Sequence, residues 1–324
     1  MNDRLDKYLV HHMEDIVFLE FMPEYVKREH LDFMRNVPVP VKKDVVGSLA
    51  GSNGIEFYHF IMGMINVIGI QPSFEYSSKY ISFLKYIHKD IAATAVRVGL
   101  TLAQADDLEK ACINLRAALV MEPDNVDALY NYMLVCRNLY SQSDENAYIA
   151  DFKMEVFESL LALKELKPDF PMTYYYLGFV YINAGKYEEA QREWTRFVNI
   201  SEPGRERLEI QDRLKELTDP VRIEQGYMDI MSGQWERGIE VLEQYADTPM
   251  MEEWWPLPYY LGVGYSRTGR HQEALVLLKK ALKGNPSSVE IMAELVRVNE
   301  ALGDEVGAHK YRNKIEIVNK GIQE

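Results

Sequence analysis

Small residues recur along this sequence in pairs that are separated by 12 positions. Helix-turn-helix units need small residues at this spacing, because the two antiparallel helices cross closely there and a larger side chain would push their axes apart. The pattern therefore predicts consecutive helix pairs between residues 99 and 308. The pairs of positions are Gly99 and Ala111, Gly178 and Ala190, Gly226 and Gly238, Gly262 and Ala274, and Val296 and Ala308.

The predicted helix pairs repeat at intervals of 34 to 48 residues. When Met133 represents the second pair, the successive first-helix positions are separated by 34, 45, 48, 36 and 34 residues. Such repetition indicates a solenoid, in which each unit packs against its neighbours. The two longest intervals predict insertions near residues 141–151 and 201–217. In the second insertion, Leu208, Leu214 and Leu217 form a partial apolar stripe, which predicts one additional amphipathic helix.

Three of the predicted units resemble the tetratricopeptide repeat (TPR) residue by residue. The clearest unit is PYYLGVGYSRTGRHQEALVLLKKALKGNP, and the others are TYYYLGFVYINAGKYEEAQREWTRFV and RVGLTLAQADDLEKACINLRAALVMEP. The resemblance implies an all-α fold, a right-handed TPR superhelix (α-solenoid) of about six units over residues 92–324. The matching residues are Leu261, Gly262, Tyr265, Gly269, Ala274, Leu278, Ala281 and Pro286 in the clearest unit, Leu177, Gly178, Tyr181, Gly185, Ala190 and Trp194 in the second, and Gly99, Ala111, Leu115, Ala118 and Pro123 in the third.

The first 91 residues lie outside the clear repeats. Apolar periodicity predicts two helices, at about residues 4–21 and 24–35, and a further helix pair over residues 55–91 that is interpreted as a degenerate repeat. Between them, the segment GSLAGSNG (47–54) resembles a phosphate cradle. No Lys-Ser or Lys-Thr follows this segment and no strand is predicted before it, so residues 1–54 are interpreted as N-terminal helices and a glycine-rich linker.

The charge balance argues against polyanionic partners. The 324 residues carry 36 Lys and Arg against 50 Asp and Glu, a formal net charge of −14, with no basic run. Binding to nucleic acid or to an anionic membrane depends on clustered cations, so neither partner is expected. The charged N-terminus does not resemble a secretory signal, and the uncharged stretch from Phe57 to Phe74 is interrupted and too short to span a bilayer. Cys112 and Cys136 show no pairing pattern, which favours a reducing, cytoplasmic location.

Two local groups of residues could supply metal ligands. Glu56 and His59 have the Glu-x-x-His spacing of helix-bundle metal sites, but those sites need such motifs paired on facing helices, and a second motif is not visible. The sequence also lacks the short motifs of common hydrolases and dinucleotide-binding enzymes. We therefore expect no metal, no cofactor and no catalytic residue. The second group of possible ligands lies near the N-terminus, within one turn of a predicted helix, and we interpret it as a solvated helix face. That group consists of His11, His12, Glu14 and Asp15.

The TPR resemblance implies that a partner binds on the concave face lined by the first helices of the units. At the positions that are concave in the family, this sequence has aromatic and aliphatic side chains with occasional arginines, a composition typical of interface anchors. Two alternatives remain open: the rings pack against a neighbouring repeat or the additional helix, or the N-terminal helices fill the groove. The residues expected to bind a partner are Arg97, Tyr130, Asn131, Arg137, Tyr175, Phe179, Tyr227 and Tyr259.

One TPR subfamily can be compared at its ligand-binding positions. The carboxylate-clamp domains, which hold chaperone C-termini, use a Lys and an Asn in the first unit, an Asn in the second, and a Lys and an Arg in the third. Asn131 matches the second-unit position. The other four positions hold apolar or aromatic residues, so no clamp is expected and a ligand would be held through apolar side chains or as a helix. These four residues are Val96, Leu100, Met172 and Tyr176.

The sequence thus predicts a non-enzymatic scaffold that binds a protein or peptide in the groove of a TPR superhelix. A second hypothesis is a peptide-sensing signalling regulator whose N-terminal helical module is the output, as in the TPR pheromone receptors of Gram-positive bacteria. Residues 1–90 show no recognition helix rich in Arg and Lys, which disfavours a DNA-binding version. A third hypothesis is an enzyme that uses the N-terminal histidines and acids.

Overall fold

The computed structural model describes residues 3–47 and 55–321. The chain forms two compact units, residues 1–177 and 178–324, and the boundary falls within the helix Pro171–Asn183. Each unit is described separately below. The glycine-rich segment that was interpreted as a linker lies outside the described residues, apart from Gly47.

The N-terminal region of the first unit contains a β-hairpin whose first strand lies within the first predicted helix, so the prediction of one helix over residues 4–21 was wrong. In the range of the second predicted helix, the structure has the shorter helix Pro23–Arg28 and a 3₁₀ segment. The strands β1 and β2 are antiparallel, with Val17 opposite Val41 and Phe18 opposite Pro40. Apolar β-branched and aromatic side chains in IVFL, and the Val-Pro alternation of VPVP, favour extended backbone over helix. The elements are α1 (Asp6–Leu9), a 3₁₀ segment (Val10–Asp15), β1 (Ile16–Leu19), α2 (Pro23–Arg28), a 3₁₀ segment (Asp32–Met34), β2 (Val39–Lys42) and α3 (Lys43–Gly47).

The hairpin packs on the next helix through a glycine. Helices α4 (Phe57–Ile70) and α5 (Ser77–Ile87) occupy the segment that was interpreted as a degenerate repeat. A Cβ atom on Gly63 would lie 1.9 Å from the carbonyl oxygen of Pro40, so only glycine allows β2 to approach α4 this closely. Gly63 therefore serves contact with the hairpin, and α4 packs mainly against β2 and the later helix Leu108–Met121.

The rest of the first unit consists of helix pairs. Gly99 faces the second helix of its pair, because a Cβ atom there would lie 2.7 Å from Leu115 and 3.3 Å from the carbonyl oxygen of Ala111. The insertion predicted near residues 141–151 lengthens a second helix to 21 residues and leaves only residues 142–145 between the two helices. The helices are α6 (Ile91–Gln104), α7 (Leu108–Met121), α8 (Val126–Ser141), α9 (Asn146–Leu166) and the first part of α10 (Pro171–Asn183).

The second unit continues with helix pairs. The additional helix predicted after the third pair is confirmed as Arg205–Glu216, although its buried residue is Ile210, and Leu208 is 65% exposed. The remaining part of α10 belongs to this unit. The other helices are α11 (Tyr187–Ile200), α12 (Arg205–Glu216), α13 (Thr218–Met231), α14 (Trp235–Glu243), α15 (Met250–Glu253), α16 (Pro256–Arg267), α17 (His271–Gly284), α18 (Val289–Ala301) and α19 (Glu305–Gly321).

Five of the turns inside the pairs use left-handed backbone at one position. A residue just past the end of the first helix takes positive φ, which ends the helix at little cost when it is glycine. In the first pair Asp106 takes this conformation with φ of 62°. In the second unit the corresponding residues are glycines, namely Gly185, Gly233, Gly269 and Gly303.

Close crossings also hold the pairs of the second unit together. A Cβ atom on Gly178 would lie 2.0 Å from Nε1 of Trp194, so the indole of α11 occupies the space that a side chain on α10 would need. A Cβ atom on Gly238 would lie 2.6 Å from the carbonyl oxygen of Gly226, which brings the backbones of α13 and α14 together. Gly226 and Gly238 are one of the pairs that the 12-residue pattern predicted, and Trp194 lies one helical turn after Ala190, the predicted partner of Gly178.

Candidate partner-binding faces

The first helices of the first unit bring together rings and a guanidinium group. The ring of Tyr130 on α8 lies edge-on to Phe170 with centroids 5.0 Å apart, and lies 6.4 Å from Tyr176 on α10. The guanidinium of Arg137 lies 5.3 Å from the centroid of Tyr176, within reach of a cation–π interaction. Tyr175 lies edge-on to Tyr176 at 5.1 Å. We call this set of five residues the Tyr176 cluster.

The rings of the Tyr176 cluster are half-buried, and Arg137 is exposed. Burial and the neighbouring phenol of Tyr176 raise the pKa of Tyr130. Asn131 lies beside the cluster on α8, and its Nδ2 donates a hydrogen bond to the carbonyl oxygen of Asp127, 2.8 Å away on the same helix. Its amide nitrogen is therefore already engaged, although its side-chain oxygen remains available as an acceptor.

Arg97 is an exposed cation on the neighbouring first helix, α6. It lines an open cavity of about 350 Å³ together with Val96, Leu100 and Asp127. Within residues 3–47 and 55–321, the guanidinium groups of Arg97 and Arg137 form no ion pair with a carboxylate, whereas Arg4, Arg116 and Arg267 do. The first-helix face of this unit thus carries two positive charges that the described part of the protein leaves without an acidic partner.

The second unit has its own set of rings on first helices. Tyr227 on α13 stacks on Tyr260 on α16, with centroids 4.6 Å apart and planes inclined by 20°. Tyr259 lies edge-on to Tyr260 at 5.0 Å. We call these three residues the Tyr260 cluster. Burial, together with nearby Glu294, raises the pKa of Tyr259 to about 12.

The polar groups around the Tyr260 cluster are arranged differently from those of the first unit. Arg267 forms a bidentate ion pair with Glu294, at 2.8 and 2.9 Å, so this arginine is already neutralised. Among the described residues, the hydroxyl groups of Tyr259 and Tyr260 have no hydrogen-bond partner. These hydroxyl groups can therefore exchange water for a polar group of a ligand.

Some of the residues at concave positions are packed inside the second unit. Phe179 lies edge-on to Trp194 at 5.0 Å, and the guanidinium of Arg213, on the additional helix α12, lies 5.0 Å from its centroid. Ile223 and Ile230 are fully buried. The packing alternative raised by the sequence thus describes the ring of Phe179, which lies against Trp194 and the additional helix α12. Contact between Phe179 and a partner remains a prediction.

The N-terminal segment of the first unit lies against second helices. Arg4 pairs with Glu155 on α9 at 2.7 Å, and the hydroxyl of Tyr8 donates to Asp151 on the same helix at 2.8 Å. Further along the segment, His12 meets Glu109 on α7. Residues 4–12 are therefore held on α7 and α9, whereas the Tyr176 cluster and Arg97 lie on first helices.

Other expectations can be placed on the structure. Cys112 and Cys136 are both buried, and burial raises the pKa of the Cys136 thiol, which disfavours the reactive thiolate. No helix among the described residues combines the length and apolar character that a membrane crossing requires. The histidines and acids of residues 11–15 do not stay together: only His11 and His12 converge, on Glu109, which local spacing could not show.

The helix pairs, the small residues at their crossings and the glycine turns give this chain the architecture of a tetratricopeptide-repeat protein, as the sequence resemblance implied. Among the described residues, the fold is all-α apart from the N-terminal hairpin. No protein-family model matches the sequence, and no curated protein matches it.

Several solved structures are similar to this chain. The TPR domain of P58(IPK) is 19% identical with a TM-score of 0.40, over 70% of this chain and 60% of that one. Pseudomonas aeruginosa pilF is 14% identical with a TM-score of 0.36, over 71% and 92%. PilW, a type IV pilus biogenesis factor, is 15% identical with a TM-score of 0.34, over 70% and 93%.

Proposed function

We propose that this protein is a non-enzymatic scaffold that binds an extended segment of a protein partner on the first-helix faces of its repeats. The observation that carries the proposal is the pair Arg97 and Arg137, two exposed arginines without an acidic partner among the described residues, of which Arg137 lies against the half-buried ring of Tyr176.

The chemistry of the face defines the kind of segment that fits it. A guanidinium group binds a carboxylate through two parallel hydrogen bonds, which gives both charge and orientation. The rings of the Tyr176 cluster would cover apolar side chains, whose removal from water contributes roughly 25 cal/mol per Å². The partner segment should therefore contain acidic side chains beside apolar ones.

The Tyr260 cluster supports the same proposal in the second unit. Its stacked rings form a preordered apolar surface, and ordering costs little because tyrosine has few rotatable bonds. The hydroxyl groups of Tyr259 and Tyr260 could bond to the backbone of a bound segment. Arg267 and Arg297 both bond to Glu294, so we expect apolar contacts to dominate at this cluster.

A peptide-display selection on the immobilised full-length chain tests the proposal. We expect enriched peptides to combine acidic with aromatic or aliphatic residues, and fluorescence anisotropy to show at least a tenfold loss of affinity in Arg97→Ala, Arg137→Ala. The matched control is Arg28→Ala, Arg35→Ala, which removes the same charge from exposed arginines already paired with Glu29 and Asp32. Equal binding by the two double variants would contradict the assignment of this face.

A further inference from the structure

Two histidines from the N-terminal segment and one glutamate from α7 converge on a single point of the first unit. Nε2 of His12 lies 2.9 Å from Oε2 of Glu109, and Nε2 of His11 lies 3.3 Å from the same oxygen. The two imidazole rings are 4.1 Å apart. His11 and His12 are adjacent in a 3₁₀ segment, where consecutive side chains normally diverge, so their convergence on one oxygen is specific to this arrangement.

We infer that His11, His12 and Glu109 form a binding site for a divalent transition-metal ion of the zinc class. The three donor atoms all lie within 4.8 Å of one another. Donors bound tetrahedrally at about 2.1 Å from zinc are separated by about 3.4 Å, so a small rotation of the three side chains would place them around one ion. Two imidazoles and one carboxylate are a donor set that zinc accepts, with the remaining position left for water.

The surroundings provide room and charge for the ion. His12 lines a cavity of about 280 Å³ together with Asp15, so there is room for water on the His12 side of the cluster. Three lysines also line this cavity, and they oppose a cation. Nζ of Lys110 is bound by Asp107 at 2.6 Å, so its charge is compensated, and Asp15 and Asp44 lie in the same cavity as Lys42 and Lys43.

The proposed ion would join two parts of the first unit that are far apart in the sequence. His11 and His12 belong to the N-terminal segment, and Glu109 stands in the first turn of α7, in the first repeat. A metal bound by both would hold the segment on the repeat and couple its attachment to metal concentration. The site is independent of the proposed partner-binding face.

Isothermal titration calorimetry with ZnCl₂ on the full-length chain, after treatment with a chelator, tests the inference. We expect one saturable site at pH 7.5 whose affinity falls at least tenfold in each of His11→Gln, His12→Gln and Glu109→Gln. His59→Gln, which removes a histidine outside the cluster, should bind zinc as the wild type does. His11 is 56% exposed, so its substitution should leave the fold intact, as circular dichroism can verify.

A spectroscopic measurement adds an independent readout. Co²⁺ replacing zinc at a site of two imidazoles and one carboxylate should give visible d–d absorption, and this absorption should disappear in His11→Gln, His12→Gln. Hydrogen exchange of residues 4–15 should slow when zinc is added to the wild type but not to the double variant. The inference is overturned if the wild type shows no saturable site, or if the double variant binds zinc and gives the Co²⁺ spectrum as the wild type does.

Discussion

Arg116 and Asp6 form an ion pair in the first unit although they are 110 residues apart in the sequence, with Nη2 of Arg116 at 2.5 Å from Oδ1 of Asp6. The side chain of Arg116 is 1% exposed, and its Nη1 also donates to the carbonyl oxygens of Gly69 and Ile70 at 3.1 Å. These are the last carbonyl groups of α4, which have no partner within the helix. One buried arginine on α7 thus joins the N-terminal segment to the end of α4.

This pair gives the first prediction. Asp6→Ala should destabilise the first unit by about 3 kcal/mol, because it leaves a buried guanidinium without its counterion. Hydrogen exchange of α7 should report the loss of stability. The control is Asp3→Ala, which changes an exposed acid of the same segment and should have little effect. Equal exchange rates in both variants would contradict the assigned role of Asp6.

The crossing of α10 and α11 gives the second prediction. Gly178→Ala should destabilise the second unit by about 3 kcal/mol, because the added methyl group overlaps the buried indole of Trp194. All four tryptophans lie between residues 194 and 255, so their fluorescence during urea unfolding reports on this unit. An unchanged midpoint of urea unfolding in Gly178→Ala would contradict the close packing of α10 against Trp194 on α11.

The glycine turns give a third prediction, which separates backbone strain from steric overlap. Gly269 has φ of 82°, and a Cβ atom there would meet nothing within 4 Å. Gly269→Ala should therefore cost only about 1 kcal/mol, from the left-handed backbone alone. The midpoint of urea unfolding, followed by tryptophan fluorescence, should shift less in Gly269→Ala than in Gly178→Ala. A larger shift in Gly269→Ala would be inconsistent with this explanation.

Glu224 gives a prediction about pH. Burial raises the pKa of this carboxyl group, although its Oε2 accepts a hydrogen bond from the backbone N–H of Glu188 at 2.7 Å. An acid whose pKa is raised by folding keeps its proton in the folded state at pH values where the unfolded state has lost it. The wild type should therefore lose stability as the pH rises from about 4.5 through the raised pKa.

Glu224→Gln keeps a side-chain oxygen that can accept the hydrogen bond but does not titrate. Its stability relative to the wild type, measured by urea unfolding in the second unit, should increase over that pH interval. Glu240→Gln, at an exposed position of α14, serves as the control and should not change the pH profile in this way. A constant difference between Glu224→Gln and the wild type would exclude the assigned role of burial.

The parts of the fold that sequence could predict are those specified within one helix pair. Gly178 and Ala190 belong to the same pair, and Gly269 lies in the turn of a single pair, so the spacing of these residues in the sequence was enough to predict the crossing and the turn. The hairpin was missed because β1 and β2 have only four residues each, too few for their alternation to be distinguished from a short helix. The ranges assigned to domains remain predictions.

The contacts that sequence could not predict join distant segments. Arg116 meets Asp6 across 110 residues, and His12 meets Glu109 across 97. A single sequence holds no signal for such pairs, because nothing local distinguishes Glu109 from other acids in the first turns of helices. The same limit applies to the candidate face: first-helix positions could be assigned, but the burial of Ile223 and the pairing of Arg267 with Glu294 depend on neighbouring helices.

The measurement that tests the central claim most directly is site-specific photo-crosslinking in native lysate. A photoreactive amino acid would replace Arg97 or Tyr259, on first helices, and in separate proteins Met154 or Val276, which are 46% and 67% exposed on second helices. We expect crosslinks to a common protein partner from positions 97 and 259 and none from positions 154 and 276. Crosslinks to that partner only from positions 154 and 276 would contradict binding on the first-helix faces.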